Sequence, residues 1–141
     1  MNITVIDGQG GALGARLVKE ITAQIPEADL AVIGTNAIAT AAMLKAGAKQ
    51  GATGENPVVV ACRRADVIVG PVGIVIADSL MGEVTEKMAL SVARSEATRI
   101  LIPMNKCDNL VAGITEPNTG ELIADVIAKL KALILDKGAC L

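Results

Sequence analysis

The chain contains no phenylalanine, tyrosine, tryptophan or histidine. Without aromatic rings, no purine or nicotinamide can stack on the protein, and an adenine would have to lie between aliphatic side chains. The core must be filled by Val, Ile, Leu, Met and Ala, a palette that suits a parallel sheet buried on both faces. Without histidine the commonest general base is missing, and with no paired cysteines a zinc site is not expected. An all-oxygen Mg²⁺ site completed by a ligand phosphate stays open, but no residue is assigned to a metal. Three widely spaced cysteines, Cys62, Cys107 and Cys140, are an odd set and read as free thiols of a reducing cytoplasm. The longest basic run is the pair Arg63-Arg64, and the formal net charge is −2. With no aromatic platform either, nucleic-acid binding is not expected. The longest apolar run, VIVGPVGIVIA at residues 67–77, has 11 residues and is too short to span a bilayer. Met1-Asn2 leads straight into a strand pattern with no basic leader, and Cys140 stands next to last, so neither an export signal nor a prenylation box is read.

What remains is strongly apolar. Hydrophobic residues are 52% of 141, mean hydropathy is +0.53, and the expectation is one ordered domain over residues 1–141. NITVI (2–6) alternates and is β-branched, a first strand. Leu13, Leu17, Ile21 and Ile25 then recur every four residues, a helical stripe that Pro26 ends. DLAVIG (29–34) is a second strand, followed by a small-residue helix capped by Thr35 or Asn36. Lys49–Ala52 reads as a weak edge strand and Asn56-Pro57 as the start of a helix. ADVIVGP (65–71) is a central strand. VGIVIADSLMG, apolar nearly all round, reads as a helix ending at Gly82, and Thr85 caps the next one. RILIP (99–103) is a strand. NLVAGI (109–114) reads as a last strand, antiparallel because too few residues precede it for a crossover. A long amphipathic helix follows Pro117 and ends at Gly138. The pattern predicts an α/β, Rossmann-like three-layer sandwich with a mostly parallel sheet of order 3-2-1-4-5 and an antiparallel edge strand six. If Lys49–Ala52 is only loop, the order becomes the flavodoxin-like 2-1-3-4-5.

Four stretches carry candidate chemistry. In DGQGGALG, Gly8, Gly10 and Gly14 form G-x-G-x-x-x-G between a strand and a helix, one residue longer than the dinucleotide fingerprint. Asp7, Gly8, Gln9, Gly10, Gly11 and Gly14 are the candidate phosphate cradle. The alternative is a tight turn with close helix packing. Asp7 stands at its mouth, to bind a sugar hydroxyl, cap the loop's N–H groups or hold a metal. At the end of the second strand, where NAD sites carry an acid, Gly34-Thr35-Asn36 is uncharged, so Thr35 and Asn36 are either ligand contacts or helix caps. Gly70, Pro71 and Gly73 lie at the topological switch point beside the loop, as ligand contacts or as packing. NKCD (105–108) matches the guanine-reading N-K-x-D, but the loop lacks the lysine and hydroxyl of a GTPase phosphate loop, so the match is read as a turn. Asn105 could still face the ligand, and Cys107 beside Lys106 is the candidate reactive thiol. The Tyr-x-x-x-Lys pair of short-chain reductases is absent. Acid–base work would fall to Asp7, Asp78, Glu83, Lys106 or Cys107, with Asp7, Asp78 and Cys107 the catalytic candidates.

Taken together, VIDGQGGALG, IGTNAIATAAMLKAGA, GATGEN, VGPVGIVIADSLMGE and ILIPMNKC resemble a small bacterial family known as domain of unknown function 3842. The resemblance covers essentially the whole chain. It implies a single-domain cytoplasmic bacterial protein and brings no activity with it. ATGENPVVVACRRADVIVG is also similar to the strand–helix–strand stretch of reductase-type Rossmann domains, a likeness of fold alone. The functional expectation is a sensor or binding module for NAD(P), another nucleotide or another phosphorylated small molecule. The alternatives are a small reductase or transferase on a nucleotide-linked substrate, and a ligand-free scaffold. A homodimer is expected because an all-round apolar helix at Val72–Met81 would need cover.

Overall fold

The computed structural model describes residues 1–104, 109–113 and 118–139. Five strands, β1 (Asn2–Asp7), β2 (Asp29–Gly34), β3 (Gln50–Thr53), β4 (Val67–Pro71) and β5 (Thr98–Ile102), form one sheet of order β3-β2-β1-β4-β5. Every pairing is parallel. The weak strand at 49–52 is real, shifted by one residue, and this selects the 3-2-1-4-5 order over the flavodoxin-like one. The antiparallel sixth strand does not form over the described part of its range: 109–111 are coil and 112–113 a turn. The left-handed φ of +85° at Gly113 breaks the extended run there.

The helices α1 (Ala12–Gln24), α2 (Ala37–Lys45), α3 (Glu55–Arg64), α4 (Glu86–Arg94) and α5 (Thr119–Ala139) complete the three layers. Leu13, Leu17 and Ile21 of α1, Met43 of α2 and Ile123, Ile127 and Leu130 of α5 pack with Ile3, Val5, Val67 and Val69 on one face. Val58 and Cys62 of α3 and Met88, Ala89 and Val92 of α4 pack with Ile6, Ile33 and Ile68 on the other. The β-branched runs are thus buried on both sides, as a parallel sheet requires. α3 starts two residues before the expected proline. Pro57 is tolerated at its third position because the first four N–H groups of a helix have no intrahelical acceptor. α5 runs through Gly138 to Ala139 instead of stopping at Gly138.

The largest departure follows β4. Val72–Val75 is a single 3₁₀ turn, not the start of a long helix, and residues 77–83 are turns. Asp78, Leu80 and Met81 take φ of 64°, 54° and 57°, and Gly82 87°, so a right-handed helix cannot continue through them. Ile74 and Leu80 are each 1% exposed within the same chain. That burial removes the ground for expecting a dimer, since there is no all-round apolar helix in need of cover. Among the described residues no helix is long and apolar enough to cross a membrane.

Candidate functional site

β1 and β4 are neighbours whose chains leave toward opposite faces, so their carboxyl ends form the topological switch point where open α/β sheets bind ligands. The glycine segment lies there. Gly11 precedes α1 with a φ of +74° and offers no side chain to cap the helix. Asp7, at the end of β1, takes over that task. Its Oδ2 accepts the Gly14 N–H at 2.7 Å and its Oδ1 the Gly8 N–H at 2.8 Å. Asp7 is 2% exposed and is therefore a buried helix cap, not a carboxylate open at the mouth of the crevice. Burial pushes its carboxyl above the ordinary carboxylate range. The Gly14 and Gly8 N–H groups pull it down, and the Glu83 carboxylate pushes it further up.

Three other N–H groups at this helix start, those of Gly10, Ala12 and Leu13, donate to no acceptor among the described residues. They are the groups a helix N-terminus offers to an anion. Gly10 is exposed, and a Cβ built on it meets nothing within 4 Å. Its neighbours are crowded instead. A Cβ on Gly11 would lie 2.7 Å from the Ala39 Cα, and one on Gly14 2.5 Å from the Met43 sulfur. Gly11 and Gly14 thus serve the close packing of α1 on α2, and Gly10 alone faces open space.

Glu83 reaches into this site from the turn that follows β4. Its carboxylate accepts the Gln9 N–H at 3.0 and 3.1 Å and the Thr35 hydroxyl at 3.0 Å, and one of its oxygens accepts the Asn36 Nδ2. Thr35 and Asn36 are therefore engaged within the protein. Asn36 also caps α2 through its Oδ1, which accepts the Ala39 N–H at 2.9 Å, and donates to the Gln9 carbonyl at 2.9 Å. So the end of β2, uncharged in sequence, carries a carboxylate in space. Glu83 was visible in sequence only as one acid among several. No local pattern links it to Gln9, 74 residues away.

The remaining candidates are dispersed. Gly70 and Pro71 are buried in β4, where a Cβ on Gly70 would collide with the Ile6 carbonyl. The Gly73 carbonyl accepts the Ser79 hydroxyl, and Ser79 is 2% exposed. These contacts are packing between β1, β4 and the turn. Asp78 is exposed, on the turn. Asn105, Lys106 and Cys107 lie outside the described residues. Among the described residues no cluster of three or more His, Cys, Asp or Glu could hold a metal. A groove of about 530 Å³ runs beside α3, lined by Thr4, Val32, Ala52 and Val60. It lies along the sheet face rather than at the carboxyl ends, so it is not taken as the site.

Cys62 is a buried free thiol, and burial pushes it up to about 11. A maleimide at about pH 7 is expected to leave the peptide carrying Cys62 unmodified in the folded protein and to label it fully in urea. Rapid labelling of that peptide in the native state would contradict the buried placement.

The strand order, the helices on both faces and the glycine turn at the switch point define a Rossmann-like α/β domain. No curated protein and no solved structure matched the chain. The family model of DUF3842, a domain of unknown function, matches residues 2–135, and the chain belongs to that family.

Proposed function

We propose that this domain binds a nucleotide, NAD(P) among the candidates, or another phosphorylated small molecule at the carboxyl ends of β1, β2 and β4, as a sensor or binding module of the bacterial cytoplasm. The observation that carries this reading is the set of N–H groups on Gly10, Ala12 and Leu13, without acceptors among the described residues, at a helix start where Gly10 is exposed. A helix start of this kind favours an anion through its N–H groups and its partial positive charge. Asp7 counts against use as a general base, because both its oxygens are occupied by backbone N–H groups. That favours a binding module over an enzyme. The phosphate cannot simply join Glu83. Two unit charges about 4 Å apart repel by about 4 kcal/mol at the effective dielectric of a protein surface.

The test is a thermal-shift screen against NAD(H), NADP(H), ATP, GTP, FMN, nucleotide sugars and inorganic phosphate, with and without Mg²⁺. A true ligand at 100 times its Kd adds about 2.7 kcal/mol of stability, a readable shift. Gly10→Val is the companion variant. Its side chain enters open space and its backbone lies outside the left-handed region, so the fold is expected to survive within about 0.5 kcal/mol. Ligand stabilisation is expected to vanish with it. A folded Gly10→Val protein that binds as well as the wild type sinks the reading.

A further inference from the structure

We propose that the turn at residues 76–85 is a self-inhibitory strap, whose Glu83 carboxylate occupies the ligand's anion position and must leave when a phosphoryl group binds. The inference rests on the binding reading above and adds its regulation. Three observations converge on it. First, Glu83 collects donors from two separate elements, the Gln9 N–H of the glycine segment and the Thr35 and Asn36 side chains after β2. An internal carboxylate bound in this way is the protein's own stand-in for an anionic ligand. Second, the N–H groups of Gly10, Ala12 and Leu13, which follow Gln9 directly in the chain, have no acceptors among the described residues. A phosphoryl group has more acceptor oxygens than a carboxylate and could engage both sets.

Third, the strap is built to be displaced. Asp78, Leu80 and Met81, none of them glycine, all sit in the left-handed region, a conformation held only where surrounding contacts enforce it. The base of the strap is closed by the Asp78 N–H donating to the Val84 carbonyl at 2.7 Å and the Val84 N–H to the Ser79 carbonyl at 3.2 Å, with Leu80 and Val84 each 1% exposed. The tip is different. Met81 is 95% exposed and a Cβ built on Gly82 meets nothing within 4 Å, so, the Glu83 carboxylate aside, the tip is held by backbone bonds alone, from the Gly82 N–H to the Asp78 and Ser79 carbonyls at 3.1 and 3.2 Å and from the Glu83 N–H to the Leu80 carbonyl at 3.2 Å. The base stays anchored while the tip at Met81–Glu83 turns outward about Gly82. Release of Glu83 lets Met81 leave the left-handed region while Asp78 and Leu80 stay with the base, and it frees the Gln9 N–H, the Thr35 hydroxyl and the Asn36 amide from the carboxylate together.

The experiment titrates pyrophosphate by calorimetry into the wild type, Glu83→Gln and Glu83→Ala, and into Glu83→Ala combined with Gly10→Val. It is paired with hydrogen exchange of the wild type with and without saturating pyrophosphate. Glu83→Ala is expected to bind at least about tenfold tighter than wild type, the factor by which a competent fraction of one in ten weakens apparent affinity. Glu83→Gln is expected to fall between them. The gain is expected to be lost in the combined variant, and amides at Leu80–Val84 of the wild type to exchange faster when pyrophosphate binds. If wild type and Glu83→Ala bind equally, the strap is overturned and the binding reading stands. A gain that survives Gly10→Val places the anion elsewhere and also overturns the strap. If none of the proteins binds pyrophosphate, both the strap and its parent reading fail. Should both Glu83 variants fail to fold, exchange in the wild type decides, and equal or slower exchange at Leu80–Val84 on binding refutes displacement.

Discussion

Gly11→Val is expected to lose about 4 kcal/mol of folding stability, a large part of the 5–15 kcal/mol typical of a domain. Two independent costs meet at this residue. Its φ of +74° is a conformation that a β-branched side chain takes only under strain, at about 1–3 kcal/mol. Its Cβ would also lie 2.7 Å from the Ala39 Cα and 2.9 Å from the Ala39 carbonyl oxygen. Those atoms are backbone of α2 and cannot rotate away, so α1 must part from α2, an overpacking cost of about 1–3 kcal/mol. Gly11→Ala keeps the collision and part of the backbone strain, and is expected to lose about half as much. Gly10→Val, one residue earlier, meets open space. Urea unfolding of the three variants measures the contrast. A Gly11→Val protein as stable as Gly10→Val would contradict the close α1–α2 packing.

The same contrast shows what the sequence could reveal. A G-x-G-x-x-x-G between a strand and a helix announces a turn at the switch point, but it does not rank its glycines. Gly10 faces solvent while Gly11 and Gly14 face Ala39 and Met43, and those partners belong to another helix. The strands were legible because a parallel sheet buried on both faces needs short apolar runs rich in β-branched residues, and NITVI, DLAVIG and VIVGP supply them. α1 was legible from its stripe, and the caps Asn36 and Thr85 from their chemistry. VGIVIADSLMG misled because an apolar run without Pro or an interior Gly pair looks helical. Its Leu80 and Met81 are left-handed for tertiary reasons: the turn sinks Leu80 into the core and carries Glu83 across to Gln9. NLVAGI is a short apolar run of strand length, yet Gly113 interrupts it. The carboxylate missing from the end of β2 was not missing from the site. It arrives from a segment 48 residues beyond Thr35, which no local window reports.

Asp7→Ala is expected to cost about 3 kcal/mol, through the helix rather than through any ligand. The Gly8 and Gly14 N–H groups both donate to Asp7 in a buried setting, and each loses its acceptor at about 1–3 kcal/mol. α1 also loses the negative charge at its N-terminus, and Gly11 has no side chain to replace it. Asp7→Asn keeps one carbonyl acceptor and turns an NH₂ toward the other N–H, much as the protonated carboxyl turns its O–H, so it is expected to cost less than Asp7→Ala. The pH dependence separates burial from hydrogen bonding. Burial leaves the Asp7 carboxyl raised above its ordinary value of 3.8, so the folded protein holds this proton more tightly than the unfolded chain. The group's contribution is then fullest below 3.8 and is lost as pH rises through the raised value. The stability advantage of wild type over the non-titrating Asp7→Asn should therefore shrink as pH rises from about 3 toward neutrality. Denaturant melts of the two proteins at stepped pH read that difference directly. An advantage that grows with pH would mean that the two N–H bonds outweigh desolvation and that Asp7 is held firmly ionised. Vacating Glu83 sharpens the same measurement. Its carboxylate is one of the groups pushing Asp7 upward, so in a Glu83→Gln background the window over which the advantage shrinks should narrow toward 3.8.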